Sequence, residues 1–395
     1  MQPQKNAAFR RPGLLLGILW LAGADLRLTL LAVSPVLPLI HHDLGLSEKQ
    51  IGLLSGLPVL LLGLAAIPGS LVIARIGARR ATIAGLLFVA ASAAARGIGP
   101  SWPVLLGATA VMGTGVAVMQ PALPTLVAEW FSRQAGFASA LYANGLLIGE
   151  AVPAALTLPL VLPLVGGSWP ASFVLWSMLP TATAALLAFS TPHVVRPTAL
   201  APIRWWPDWR HRLPWQLGAL LGGTGGLYFS ANAFIPDYLH AIGRPELVTA
   251  ALGALNSAQL PASFLVLFTV HRMIRTRTAF VVMPLLSVLG LVGVMAPSDW
   301  LIVLGTGVVG FFGAFTLILT LALAPVLAPE GEVHRQSAAM FAVGYAISFT
   351  IPLVGGAIWD ATGVPASAFA AGALSAGIVS LAGLTLHLDA DAAPA

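Results

Sequence analysis

The chain has 395 residues, of which 58% are hydrophobic and only 8% are charged, and its mean hydropathy is +0.90. Soluble globular domains carry about 25% charged residues, so the composition excludes a soluble fold and indicates an integral membrane protein. The net charge of +5 sits in short clusters between apolar runs, which speaks against nucleic acid as a partner, and the absence of cysteine removes disulfides, thiolate chemistry and Cys-ligated metals.

Scanning with a window of about 19–20 residues predicts twelve membrane spans in chain order. The first six cover 13–40, 50–74, 81–98, 102–128, 136–165 and 169–191. The second six cover 216–241, 247–270, 279–297, 300–328, 336–358 and 365–387. Lys5, Arg10 and Arg11 precede the first run, as in a signal peptide. That run is far longer than a signal core and has no small-residue cleavage site, so it reads as a retained span.

With the N-terminus inside, fifteen of the nineteen Lys and Arg residues fall on the inner side. Lys49, Arg96 and Arg244 fall outside, and Arg27 lies within the membrane. The positive-inside rule therefore predicts a multi-pass protein of a bacterial-type cytoplasmic (inner) membrane, with both termini cytoplasmic. A monomer without a cofactor is expected.

Residues 192–215 form the longest loop and divide the chain into two six-helix bundles, 1–191 and 216–395. The loop is basic and contains Trp205, Trp206 and Trp209. It reads as a linker on the cytoplasmic interface, with indoles at headgroup depth and arginines near anionic lipid. The two halves repeat: VLPLIHHDLGLSE (36–48) aligns without gaps with FIPDYLHAIGRPE (234–246), pairing Pro38 with Pro236 and Gly45 with Gly243. The basic loops Arg75–Arg80 and Arg272–Arg277 recur at nearly the same offset. Two parallel six-helix halves are a transporter architecture, with the site where the halves meet.

Charge inside the membrane narrows the search. Asp25 and Arg27 lie in the middle of the first run, where a charge costs at least about 2.5–3.5 kcal/mol and normally faces a protein interior or wet cavity. At 1.5 Å per residue, Arg27 lies about 21 Å along its span and Glu150, on the fifth span, also about 21 Å. The shared depth makes them candidate partners; Asp25 competes, although residues two apart on a helix do not face each other. Arg27 thus reads as a substrate-binding cation, with Glu150 or Asp25 as a proton carrier or ion-pair partner. Further candidates for substrate contact are Gln120, Tyr142, Asn144, Tyr228, Asn232, Asn256, Gln259 and Tyr345. For each, hydrogen bonding between helices is the competing role. The run His41-His42-Asp43 is adjacent residues in a predicted external loop, so no metal site is expected there, and no catalytic constellation is present.

The stretch DLRLTLLAVSPVLPLIHHDLGLSEKQIGLLSGLPVLLLGLAAIPGSLVIARIGARR (25–80) resembles the major facilitator superfamily, and within it the cyanate/nitroimidazole-type transporters. Leu26-Arg27, the segment Pro35–Pro38, Leu44-Gly45-Leu46-Ser47 and Gly52 to Val59 carry the likeness, as do 231–239, 253–261 and 337–363 in the second half. The resemblance implies an all-α fold of twelve transmembrane helices as two parallel six-helix repeats. It also implies a gating loop at Arg75, Gly77, Arg79 and Arg80. Here Ala74 replaces the Asp of that loop and Ser70 its leading Gly, so the Asp-centred latch between halves cannot form. Asp25 and Leu28 stand where the family has Asn and Pro.

The expected function is secondary active transport of a small anion or small polar heterocycle by alternating access, possible proton symport included, rather than enzyme activity. A proton-driven multidrug exporter is the alternative, with a larger, more aromatic cavity. A non-transporting membrane sensor is the reading from another class.

Overall fold

The computed structural model describes residues 12–191, 204–386 and 388. Lys5, Arg10, Arg11 and the first part of the linker lie outside the described residues. Among those described, every regular element is helical.

Span 1 is a broken helix: Pro12–Asp25, then Leu28–Leu31, a tight turn at Ser34–Val36, and Leu37–Leu44. Span 2 comprises Glu48–Leu64 and Ala66–Ile76, bent by 53°. Spans 3 and 4 are Ala78–Ile98 and Trp102–Trp130. Span 5 is Ala135–Leu156 with a π turn at Thr157–Val161, and span 6 is Trp169–Ser190. After the linker come span 7 (Leu213–Ala241), span 8 (Val248–Ser257 and Gln259–Met273) and span 9 (Arg277–Val294). Spans 10, 11 and 12 are Asp299–Leu327, Val333–Thr362 and Phe369–Thr385.

Ten of these helices are long and apolar enough to cross a membrane, and the bent pair of span 2 makes an eleventh. Span 7 completes the twelve. Its 29 residues exceed the roughly 20 that a bilayer needs, although Gly, Thr, Tyr and Asn dilute its apolar content.

Local signals set the ends. Ser47 caps span 2 reciprocally with Gln50. Gly45 and Gly243, aligned in the repeat, both take positive φ, 58° and 74°, which a residue with a Cβ disfavours. The run His41-His42-Asp43 lies in the helix Leu37–Leu44 rather than in a loop, and Asp43 accepts a hydrogen bond from the Trp169 indole at 2.7 Å. No group of three His, Asp or Glu able to hold a metal occurs among the described residues.

Three apolar clusters show how the halves sit together. One draws on both: Ile18, Ile73, Leu126 and Trp130 of the first half pack in the same cluster as Val270, Ile274, Phe280 and Leu386 of the second. These residues lie toward the end of the molecule that carries the linker. At the opposite end the clusters are separate. Val36, Ile40, Leu54, Leu105 and Phe173 form one within the first half, and Ile235, Leu255, Leu291, Ile302 and Phe369 one within the second. The halves therefore share a core at the linker end and part at the far end. A Cβ added at Gly136, in span 5, would lie 3.6–3.7 Å from Val270 and Ile274, so this seam is in van der Waals contact.

Candidate functional site

Two helix breaks, one in each half, present the polar cluster. In span 1 the α-helix ends at Asp25, and Leu26 and Arg27 donate instead to Gly23 and Ala24 at 3.2 and 3.1 Å, a tighter turn. Neither Pro nor Gly stands at the break; packing accounts for it. A Cβ at Gly145 or Gly149 would run into the carbonyls of Trp20 and Ala24, and one at Gly23 into the Tyr142 carbonyl. Spans 1 and 5 thus meet backbone to backbone, as small residues allow in membranes. In span 8 the break falls at Ala258, and Gly310 of span 10 abuts the Leu255 carbonyl in the same way.

The first break aims Arg27 between the halves. Its Nη2 donates to the Tyr345 hydroxyl at 3.3 Å, and Gln120 Nε2 donates to the same oxygen at 2.9 Å. Gly63 of span 2 gives Tyr345 room, since a Cβ there would stand 3.2 Å from the tyrosine Cβ. Among the described residues the buried Gln120 Oε1 has no hydrogen-bond partner, leaving an acceptor for a ligand or water.

The second break supplies the other group. The Tyr228 hydroxyl lies 2.6 Å from Asn256 Oδ1 and 3.1 Å from Glu150 Oε1, so its one proton is shared between two acceptors. Gln259 Nε2 donates to that hydroxyl at 3.4 Å, and Asn232 Nδ2 to the Tyr228 carbonyl at 3.0 Å. Asn256 Nδ2 reaches Asn232 Oδ1 at 3.4 Å. Arg27, Glu150 and Tyr228 are half-buried and Asn256 is exposed, so the cluster has access to solvent.

Arg27 and Glu150 feel each other electrostatically, but among the described residues they form no direct ion pair. Each first-half charge is instead taken by a tyrosine of the second half, Arg27 by Tyr345 and Glu150 by Tyr228. The expected partnership of depth is thus a shared polar cluster rather than a closed salt bridge. A cation, a carboxylate, two hydroxyls and four amides converge where the halves part.

Not every candidate joins them. Asn144 is buried, accepting from the Trp20 indole at 2.9 Å and donating to Ser263 Oγ at 2.8 Å, which ties span 5 to spans 1 and 8. The Tyr142 hydroxyl is buried with no hydrogen-bond partner among the described residues. Asp25 is fully buried beside Thr183 of span 6, and among the described residues neither of its carboxylate oxygens has a hydrogen-bond partner; the Thr183 hydroxyl donates to the Leu179 carbonyl.

The predicted gating loop turns at Gly77, whose φ is +84°, and leaves Arg75 and Arg80 exposed. Arg79 reaches the end of span 6, donating to Thr191 Oγ1 at 2.6 Å and the Ala188 carbonyl at 2.5 Å, a C-terminal cap for orphan carbonyls. Sequence reasoning misplaced Arg96, counted as external. It is 1% exposed, lies over the Phe173 ring at 4.6 Å and donates to the Thr29 carbonyl at 2.7 Å. That carbonyl belongs to the short helix after the span 1 break, so Arg96 supports the fold around Arg27. Its position at the end of an Ala-rich run carried no sign of this.

Comparison with known proteins follows the same lines. The Major Facilitator Superfamily family model matches residues 18–292. The chain is 28% identical to the cyanate transport protein CynX of Escherichia coli (strain K12), over 88% of this chain and 90% of that protein. It is also 28% identical to the 2-nitroimidazole transporter of the same strain, over 89% of each. Among solved structures, the transporter FucP in the outward conformation superposes with a TM-score of 0.75 at 13% identity, over 95% of this chain and 99% of that one; at that identity the likeness concerns the fold.

Proposed function

Because the chain belongs to the Major Facilitator Superfamily and is a multi-pass secondary transporter, we propose that it carries a small anion or small polar heterocycle by rocking its two halves about the Arg27 cluster. The single observation that supports this most is the pair of crossing contacts, Arg27 to Tyr345 and Glu150 to Tyr228. A ligand bound there touches both halves at once, which alternating access requires. The guanidinium favours an anionic or strongly polar group, and the amides of Gln120, Asn232, Asn256 and Gln259 suit a compact polar body. That two relatives carry cyanate and 2-nitroimidazole supports the same substrate class.

In this reading the six-helix units are 1–191 and 216–395, joined by the cytoplasmic linker 192–215, with both termini cytoplasmic in the inner membrane. Glu150 is the proton carrier when transport is proton-coupled, since it is half-buried in the same polar cluster as Arg27. Asp25 is fully buried away from that cluster and is the less suited of the two carboxylates. The arrangement offers no constellation for catalysis among the described residues.

A thermal-shift screen of purified protein against small inorganic anions, cyanate and azoles tests the substrate class. At least one of these is expected to raise the melting temperature, and a flat response across the whole set contradicts the proposal. Coupling is read separately in liposomes with an imposed pH gradient. Glu150→Gln is expected to abolish uphill accumulation while substrate exchange at equal pH continues. Accumulation equal to wild type removes Glu150 from coupling.

A further inference from the structure

The end of the linker crosses the seam where the halves are closed. Three consecutive main-chain carbonyls accept hydrogen bonds from both sides of it. The Trp205 carbonyl accepts from Ser70 Oγ of span 2, in the first half, at 2.8 Å. The flanking carbonyls face span 11, in the second half: that of Trp206 accepts from Arg335 Nε at 3.0 Å, and that of Arg204 from His334 Nε2 at 3.1 Å. Ser70, His334 and Arg335 are all buried. Glu332 fixes the Arg335 guanidinium through Nη1 at 2.7 Å and lies 3.8 Å from Arg204.

We propose that residues 204–206 form a latch that holds the linker end closed, and that Ser70 is its releasable contact. This rests on the alternating-access reading above. The two halves meet at this end in one core and part at the other, so the second state of a rocking transporter must open the seam that the latch spans. Opening must break one set of contacts. The span 11 side has two donors, one of them a guanidinium held by a carboxylate, whereas the first-half side has one neutral hydroxyl. Charge-assisted hydrogen bonds are roughly twice as strong as neutral ones. The linker therefore leaves Ser70 and travels with the second half. The bonds are made to main-chain oxygens, so the latch depends on the path of residues 204–206 more than on their side chains.

The natural absence of cysteine permits a direct test in the full-length protein. A reporter Ile274→Cys lies in the closed seam, 5% exposed and facing Gly136; a second, Asn256→Cys, lies at the exposed far-side cluster. Ser70→Ala is expected to raise labelling of the seam reporter by an impermeant maleimide by about fivefold, the equivalent of one neutral hydrogen bond, and to lower labelling at Asn256→Cys. Arg335→Gln should act in the same direction. Combining it with Ser70→Ala should add nothing to the larger single effect, because a latch undone on one side no longer joins the halves. Unchanged seam labelling in Ser70→Ala, simple additivity of the two substitutions, or increased labelling at both reporters would each overturn the latch. If the latch stands while neither reporter responds to transported solute, the failure lies with the alternating-access reading and not with the linker contact.

Discussion

Arg27→Ala is expected to weaken binding of the solute that stabilises the wild-type protein by about ten- to 150-fold, the range for a charge-assisted hydrogen bond of about 1.5–3 kcal/mol. The guanidinium is the cation of the cluster between the halves, and its Nη2 is shared with the Tyr345 hydroxyl. Arg27→Lys should fall between the two, since it keeps the charge and loses the planar fork. The measurement is a titration of the thermal shift for the three proteins. A ligand whose affinity is the same in all three does not sit at Arg27.

Gly149→Ala is expected to cost about 1–3 kcal/mol of stability, as overpacking does, although alanine favours a helix over glycine by about 1 kcal/mol. The added Cβ would collide with the Ala24 carbonyl, and a backbone atom cannot swing aside as a side chain tip can. Gly310→Ala should behave alike, because its Cβ would meet the Leu255 carbonyl beside the other helix break. Gly253→Ala is the control: nothing lies within 4 Å of its Cβ, so it should be neutral or stabilising. Thermal unfolding in one detergent compares the four proteins. A Gly149→Ala melting point at or above that of wild type would mean that spans 1 and 5 do not meet as closely as described. The same substitution should also weaken ligand binding, since it displaces the turn that aims Arg27.

The membrane class and the twelve spans were legible in composition and hydropathy, because lipid leaves few ways to satisfy a backbone. Span 7, expected at 216–241, is the most diluted of them: its glycines and polar residues leave it outside the ten helices that pass on length and apolar content alone. The repeat with the segment around Gly45 marks it nonetheless. Arg27 and Glu150 could be matched because helical rise converts position into depth. Their actual partners, Tyr345 and Tyr228, come from the other half, and no local spacing encodes contact across 318 and 78 residues.

Tertiary packing hid the rest. The break at Leu26–Arg27 has no breaker residue; its cause lies at Gly145 and Gly149, more than a hundred residues away. Asn144 and Tyr142 share the span that carries Glu150, yet side-chain direction around a helix sends them to other neighbours. Arg96 ends a run and so looked external, while its side chain turns inward to the Thr29 carbonyl. The linker contacts are made by main-chain oxygens, which leave no mark in residue identity.

The central claim is that solute crosses only as the two halves rock about the Arg27 cluster. A disulfide across the closed seam tests it most directly, using Gly136→Cys with Ile274→Cys in the otherwise cysteine-free chain. Exchange of cyanate or 2-nitroimidazole across liposomes carrying this protein should match wild type when the pair is reduced. It should stop on oxidation and resume with reductant. Exchange that continues at the same rate through the oxidised, cross-linked protein would contradict the account.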